Sequence, residues 1–175
     1  MIIKHFKPPS YIQLKLDSRI DDIRWKDEKK IDNINSHSFL IAETTLSHIF
    51  SEITSKFSIS ISLLLTNNTT LQELNNTFRQ KDKPTNVLSF PASDLTSEEL
   101  SNLLKGREKN FLGDIAISYD KISEEWSDYT DSFTSHFNHI LIHGILHLCG
   151  YDHQNDAEAN VMESIEQEIM NKIKT

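Results

Sequence analysis

The chain has little of what secreted and membrane proteins depend on. Its 175 residues include one cysteine, four glycines and four prolines. A single cysteine cannot form an internal disulfide bond and is typical of a reducing compartment. No apolar run approaches the roughly 18 residues that a transmembrane helix needs, and the start, M-I-I-K-H-F-K-P-P-S, has no apolar core of a signal peptide. We therefore expect a cytoplasmic protein that does not associate with membranes.

Positive charge is also scarce. The formal net charge of −8 argues against broad nucleic-acid binding, because phosphate contacts depend on clustered lysine and arginine. Six acidic residues and no lysine or arginine lie between Asp152 and Met170. Basic residues gather in two other places, at Arg79, Lys81 and Lys83 and at Lys105, Arg107 and Lys109. Either cluster could form a local basic face on an acidic protein, although composition alone favours ordinary solvated loops.

Length and patterning predict a single α+β domain over residues 1–175. Alternating or short apolar runs predict strands over residues 11–17, 57–65, 87–90 and 114–118. Residues 18–35 read as a loop anchored by Trp25, and Thr70 with Glu73 reads as a capping box. Helical spacing predicts helices over residues 38–53, 71–79, 97–104, 119–126, from 132 into the histidine-rich segment, and 155–172. We expect one mixed sheet of about four strands covered by helices, in an order that the sequence does not reveal.

The most informative segment is H-G-I-L-H-L-C-G-Y-D-H at residues 143–153. His143 and His147 are four residues apart, so on a helix their side chains lie on one face. Gly150 can end that helix, because glycine readily adopts the left-handed conformation found at helix ends, and the chain can then bring His153 back. Three imidazoles without a fourth protein ligand describe a catalytic zinc site with an open position. The segment predicts one metal ion per chain, held by a helix and the turn after it; we expect Zn²⁺, although imidazoles also suit nickel and copper.

The metzincin peptidases share this spacing, H-E-x-x-H-x-x-G-x-x-H, but here Gly144 replaces their glutamate. Without that general base the leaving amine has no proton donor, so peptide hydrolysis is disfavoured unless a carboxylate such as Asp114 or Glu124 folds in. Zinc can still activate water or polarise a phosphoryl oxygen. Gly144 itself has two interpretations, close approach of a substrate and close packing of the helix on the sheet.

Two neighbouring residues are candidates for supporting the metal ligands. His139 extends the histidine face by one turn and is interpreted as a pocket wall or a hydrogen-bond partner of a ligand. Asp152 precedes His153 and is a candidate acceptor for a ligand imidazole. Each has an ordinary alternative: His139 as a histidine packed under the sheet, and Asp152 as a solvated turn residue.

The chain resembles the YbeY family of bacterial rRNA maturation factors, which are metal-dependent endoribonucleases. Three segments carry the resemblance, in the family's order: L-N-N-T-F-R-Q-K-D-K-P-T-N-V-L-S-F-P (74–91), L-G-D-I-A-I-S (112–118) and the histidine segment (143–153). One position departs from the pattern, because Gln80 stands where many members have glycine. The resemblance implies zinc bound by His143, His147 and His153, and a basic cleft in which Arg79 is functionally important. Because a guanidinium can stabilise the extra negative charge of a phosphoryl transition state, Arg79 is the candidate catalytic residue.

The resemblance also implies a biological role. It implies cleavage of single-stranded RNA, maturation of ribosomal RNA including the 3′ end of 16S rRNA, ribosome quality control, and contact with the ribosome or its proteins. Lys81, Lys83 and Arg107 are then candidates for RNA binding. A second hypothesis is a ribosome-assembly factor with a structural metal, which suits the negative charge and the missing base. Structural zinc, however, is almost always closed by four protein ligands.

Overall fold

The computed structural model describes residues 11–106, 109–129 and 132–174. Within these residues the strands are β1 (Ile12–Ile20), β2 (Phe57–Thr66), β3 (Val87–Pro91) and β4 (Lys109–Ser118). The helices are α1 (Ile34–Ile49), α2 (Asn68–Arg79), α3 (Ser97–Leu104), α4 (Tyr119–Tyr129), α5 (Phe133–Leu148) and α6 (Asp156–Lys174), and a short 3₁₀ helix covers Ile23–Lys26. None of the described helices combines the length and apolar character needed to cross a bilayer.

The strands form one mixed sheet, which confirms the predicted class. Their order is β1-β2-β4-β3. The pairs β1–β2 and β2–β4 are parallel, whereas β3 pairs antiparallel to β4 at the edge. Because β4 inserts between β2 and β3, the strand order differs from the chain order, and no local pattern in the sequence could have indicated it.

The two faces of the sheet are covered differently. Along β2 the residues from Phe57 to Leu65 alternate as predicted, with the apolar set buried in the main core and the serines on the opposite face. Helices α1 and α5 pack together beside this core. Helix α2 lies on the other face, where Leu71 contacts Leu88 and Ala116 in a smaller apolar cluster. Strand β3 therefore has α5 on one side and α2 on the other.

Several predicted boundaries are wrong for identifiable reasons. The segment read as a loop holds the end of β1, the 3₁₀ helix and the start of α1, because β1 extends to Ile20 to match β2; Trp25 is buried there, as predicted. Helix α2 starts at Asn68 because Asn67, rather than Thr70, is its N-cap and accepts a hydrogen bond from the Thr70 amide. Strand β4 starts five residues before the predicted position, at Lys109.

Helix α5 ends in the turn that the sequence predicted at Gly150. The Gly150 amide donates to the His147 carbonyl (3.1 Å) and the Tyr151 amide donates to the Leu146 carbonyl (3.1 Å), which is the Schellman arrangement. Gly150 has φ +82°, the left-handed conformation that L side chains rarely adopt. A Cβ there would lie 2.3 Å from the Leu95 carbonyl oxygen. Both the turn and its close contact with the segment before α3 therefore require glycine.

Gly144 marks the closest approach of α5 to the sheet. A Cβ at this position would lie 3.2 Å from Ile115 Cγ2, 3.2 Å from Ser89 Oγ and 3.3 Å from Val87 Cγ2. The Ser89 hydroxyl donates a buried hydrogen bond of 3.1 Å to the Gly144 carbonyl. Of the two interpretations of Gly144, the structure shows close packing of the helix on the sheet.

Replacing Gly150 with alanine tests the helix-terminating turn. We expect Gly150→Ala to lower the free energy of unfolding by at least about 2 kcal/mol, because it combines left-handed strain with a clash against backbone. Gly106→Ala is the matched control, since its Cβ would meet only the Leu103 carbonyl at 3.8 Å; we expect it to change stability by less than about 1 kcal/mol. Urea denaturation of both variants measures the difference, and equal stabilities would contradict the assignment.

Candidate active site

The three histidines of the predicted metal site come together in the structure. Helix α5 supplies His143 and His147, and the turn that begins at Gly150 returns the chain so that His153 faces them. The ring centroids are 4.6 Å apart for His143–His147, 5.3 Å for His143–His153 and 5.1 Å for His147–His153. One ligand nitrogen of each lies within 4.8 Å of the others.

His147 is oriented by the turn that ends its own helix. Its Nδ1 lies 3.0 Å from the Tyr151 carbonyl oxygen. A carbonyl can only accept, so Nδ1 carries the proton and Nε2 presents a lone pair. Burial, together with the neighbouring His143 and His153, lowers the pKa of His147 to about 4. The imidazole is therefore neutral near pH 7, which is the state that binds a metal ion.

His143 is oriented from a different part of the chain. Its Nδ1 lies 2.7 Å from Oε1 of Glu166, which is on α6 and 6% exposed. Burial alone would raise the pKa of Glu166, but the hydrogen bonds from His139 and His143 outweigh it and lower the pKa to about 2. The ionised carboxylate accepts from Nδ1–H, and Nε2 of His143 is left to face the other histidines.

These orientations fit a metal ion. With both Nδ1 atoms protonated, the Nε2 atoms of His143 and His147 point lone pairs at each other across 3.0 Å. Two lone pairs at that distance repel unless a cation lies beside them. Neutral imidazole nitrogens suit zinc, nickel and copper. The three-histidine cluster can therefore hold a metal ion through Nε2 of His143 and His147 together with His153.

Glu166 is the site residue that the sequence reasoning missed. The same carboxylate also accepts a hydrogen bond from His139, whose Nε2 lies 2.9 Å from Oε2. His139 therefore bonds to the partner of the ligand His143 rather than to His143 itself. One signal was available in the sequence. Glu166 falls at helical spacing between Met162 and Ile169, in the buried stripe of α6, and a carboxylate in such a stripe needs a partner.

Asp152 lies beside the cluster, but its contacts are with the turn. One carboxylate oxygen accepts from the backbone amide of His153 (2.8 Å) and the other from the Gln154 side chain (2.6 Å). Through these bonds Asp152 shapes the loop that carries His153, and its carboxylate is not bonded to a ligand ring.

Arg79 is the last residue of α2 and is exposed. Its Nη2 donates to the Ser89 carbonyl at 3.3 Å, and the hydroxyl of the same serine bonds Gly144 beside His143. The next residue, Gln80, has φ +56°, so the family's usual glycine would suit this left-handed position. Gln80 adopts this conformation without being glycine.

A cleft of about 590 Å³ connects Arg79 with the metal cluster. This Arg79 cleft is lined by Arg79, Ser89, Asp94, His147, Tyr151 and His153, among others. Lys81 and Lys83 are exposed in the loop after α2 and do not line it. Arg107 lies outside the described residues. The structure thus brings one of the predicted basic residues to the histidines.

A second cleft, of about 470 Å³, opens on the other side of the same histidines. This α6 cleft is lined by Asn86, Glu125, His136, His139, His143, His153 and Glu166, among others. Glu125 Oε2 accepts from Asn86 Nδ2 (3.1 Å) and lies 3.4 Å from His136 Nε2. Burial lowers the pKa of His136, against the opposing influence of Glu125.

The carboxylates considered for a peptidase base lie elsewhere. Asp114 is exposed and lines a separate pocket with Leu74 and Phe78 of α2. Glu124 forms an ion pair with Lys121 on α4 (2.9 Å). Neither lines the two clefts at the histidines, and the position of the metzincin glutamate is filled by the sheet-packed Gly144.

Comparison with known proteins places these features in a family. The model of the family described as endoribonuclease YbeY matches residues 22–174. The endoribonuclease YbeY of Bartonella bacilliformis is 38% identical over 160 residues, which cover 91% of this chain and 93% of that protein. The solution structure of TM1509 from Thermotoga maritima is similar in fold, with a TM-score of 0.53 and 22% identity over 91% of this chain and 89% of that one.

Removing one imidazole at a time tests the metal centre. We expect His143→Ala, His147→Ala and His153→Ala each to weaken Zn²⁺ binding by more than about 100-fold, since loss of a ligand should cost more than loss of a ligand's partner. His48→Ala removes an imidazole from α1 and should leave binding unchanged. Metal analysis and competition with a chromophoric chelator give the affinities. Full zinc binding by any of the three variants would exclude that histidine as a ligand.

Proposed function

The chain belongs to the YbeY endoribonuclease family, and from this membership and the site geometry we propose that it is a zinc-dependent endoribonuclease specific for single-stranded RNA. We propose further that it matures ribosomal RNA, including the 3′ end of 16S rRNA, and takes part in ribosome quality control in the cytoplasm. Its partners are then ribosomal RNA and the ribosome or ribosomal proteins.

The observation that carries the proposal is the Arg79 cleft, which holds an exposed guanidinium and two of the three histidines. Among the described residues the metal group consists of His143, His147 and His153. Three imidazoles leave a coordination position for a substrate, whereas structural zinc sites are usually closed by four protein ligands. An open metal position beside an arginine suits a phosphodiester.

Arg79 supplies the contact to the phosphate. Its guanidinium stays charged at any physiological pH and can give two parallel hydrogen bonds to one phosphate. The bond to the Ser89 carbonyl uses one of five N–H donors and holds the group at the wall of the cleft. Arg79 can then bind the extra negative charge that develops on the phosphate in the transition state.

The metal ligands hold their geometry through protein contacts. When bound, a zinc ion supplies Lewis-acid chemistry to a phosphodiester oxygen. The Tyr151 carbonyl keeps the proton of His147 on Nδ1, and Glu166 does the same for His143, so both Nε2 atoms stay directed into the cluster. Neither Asp114 nor Glu124, the carboxylates considered for a peptidase base, lines a cleft at the histidines, and peptide hydrolysis is not proposed.

The two clefts suit an unpaired strand. A phosphate can contact Arg79 in the Arg79 cleft, which Asp94 and Asp152 also line, whereas the α6 cleft is lined by Glu125, Glu163 and Glu166 and by no lysine or arginine. Sequence-tolerant recognition of RNA loops and ends relies on bases that can turn away from the backbone, and two clefts meeting at one metal accommodate a strand that passes between them. The ribosomal roles are supported by the family membership.

A non-catalytic ribosome-assembly factor is the alternative, favoured by the net charge of −8 and by the carboxylates of the α6 cleft. In that case the metal would be structural and Arg79 would only bind RNA. Catalytic turnover of RNA distinguishes the two functions, because only the endoribonuclease would cleave RNA.

Cleavage of a labelled single-stranded RNA by metal-analysed protein tests the proposal. We expect Arg79→Ala to lower kcat/KM by about 100-fold or more, since it removes a contact to transition-state charge, while zinc content stays at the wild-type level. His147→Ala should lose both zinc and cleavage. Arg19→Ala is the matched control, because Arg19 is exposed on β1 and pairs with Asp21; it should cleave normally.

Two outcomes would contradict the proposed endoribonuclease function. Cleavage by Arg79→Ala at the wild-type rate would remove Arg79 from the chemistry. No cleavage by fully zinc-loaded wild type, either of free RNA or of precursor 16S rRNA presented on ribosomal particles, would favour the assembly factor.

A further inference from the structure

Glu166 occupies a position where a charge is costly. It lies on the inner side of α6, with the buried Met162 one turn before it and the buried Ile169 and Met170 after it, and is itself 6% exposed. An ionised carboxylate in such surroundings costs several kcal/mol unless donors surround it. An apolar residue would complete the stripe of α6 and dock the helix without this cost. Packing of α6 therefore does not account for the carboxylate.

The contacts of Glu166 account for it. Oε1 lies 2.7 Å from His143 Nδ1 and Oε2 lies 2.9 Å from His139 Nε2. The two histidines are one turn apart on α5, so one carboxylate spans both rings. Because an ionised carboxylate only accepts hydrogen bonds, each of these nitrogens must carry a proton. His143 is thereby restricted to the tautomer whose Nε2 lone pair faces His147 and His153.

We propose, resting on the zinc site of the proposed function, that Glu166 is a positioning residue that fixes the tautomer and the ring orientation of His143, with His139 as the second anchor of the carboxylate. His139 keeps Glu166 from rotating away from His143, because it occupies the other oxygen. The metal centre thus depends on α6, although all three ligands lie on α5 and the turn after it.

The two ligands of α5 differ in how their orientation is secured. His147 donates to the backbone carbonyl of Tyr151, four residues away, so no side-chain substitution removes its acceptor. His143 donates to a side chain 23 residues away. Its orientation can therefore be altered by substituting Glu166 without changing any metal ligand.

Zinc affinity measured without RNA is the first test. Loss of an acceptor that orients a metal-bound histidine typically weakens metal binding by about 10- to 100-fold, and we expect this range for Glu166→Ala in competition with a chromophoric chelator. Glu163→Gln is the matched control, because Glu163 lies one turn earlier on α6, lines the same cleft and is exposed. It should bind zinc as wild type does.

The tautomers of the zinc-free protein are the second test, by ¹⁵N NMR of the imidazoles. Glu166→Gln keeps the shape of the side chain but offers one acceptor and one NH₂ donor. Only one of His139 and His143 can then keep its hydrogen bond as a donor, and we expect the other ring to move its proton to the other nitrogen so that it can accept from the NH₂ group. Wild type and Glu163→Gln should show His143 protonated on Nδ1 and His139 on Nε2.

A role confined to docking α6 predicts different results, namely lower stability with unchanged tautomers and unchanged zinc affinity in the folded fraction. That pattern in Glu166→Gln would overturn the proposal, and this isosteric variant decides the matter if Glu166→Ala does not fold. A result that contradicts the proposed endoribonuclease function can be distinguished from one that contradicts the role of Glu166. Wild type that binds zinc without cleaving RNA would defeat the proposed function, whereas altered tautomers and weakened zinc binding would still establish the role of Glu166.

Discussion

The close contact between α5 and β3 at Gly144 determines where the functional groups lie. The helix backbone reaches the sheet there because no side chain intervenes, and Ser89 joins the two elements through its hydroxyl. The carbonyl oxygen of the same serine accepts a hydrogen bond from Arg79, which lies at the end of α2 on the opposite face of the sheet. One residue of an edge strand thus contacts both Arg79 and the helix that carries two metal ligands. A Cβ at position 144 would lie 3.2 Å from Ile115 Cγ2 and 3.2 Å from Ser89 Oγ, so a larger residue there would require these neighbours to shift.

The site is asymmetric about its three histidines. On one side the Arg79 cleft offers a guanidinium, and on the other the α6 cleft is lined by the carboxylates Glu125 and Glu166. Asp94 and Asp152 also line the Arg79 cleft, so the guanidinium is a single local contact for an anion, and the α6 cleft has no such cation. The two glutamates are themselves engaged by Asn86, His136, His139 and His143, so they hold imidazoles in place.

Apolar packing and polar contacts have different roles in the placement of α6. Met162, Ile169 and Met170 drive its burial against the core, but apolar contacts tolerate small shifts along a helix. The hydrogen bonds of Glu166 do not tolerate such shifts, because a displacement of one residue along the helix would rotate the carboxylate by about 100° away from both imidazole donors. The buried charge therefore selects one register of α6, in addition to its contact with His143.

Local sequence determined much of the protein because the interactions concerned act within a few residues. Three features are properties of short segments: the i, i+4 spacing of His143 and His147, the left-handed turn at Gly150 and the alternation of β2. Each was predicted from the sequence and is present in the structure. The predicted capping box at Thr70 was wrong, because the N-cap of α2 is Asn67, which directly follows the end of β2 at Thr66. Only the tertiary structure decided the order β1-β2-β4-β3, the packing of Gly144 on the sheet and the pairing of Glu166 with His143 and His139. These contacts join segments more than 20 residues apart, and they exist only once burial of the apolar faces has brought those segments together.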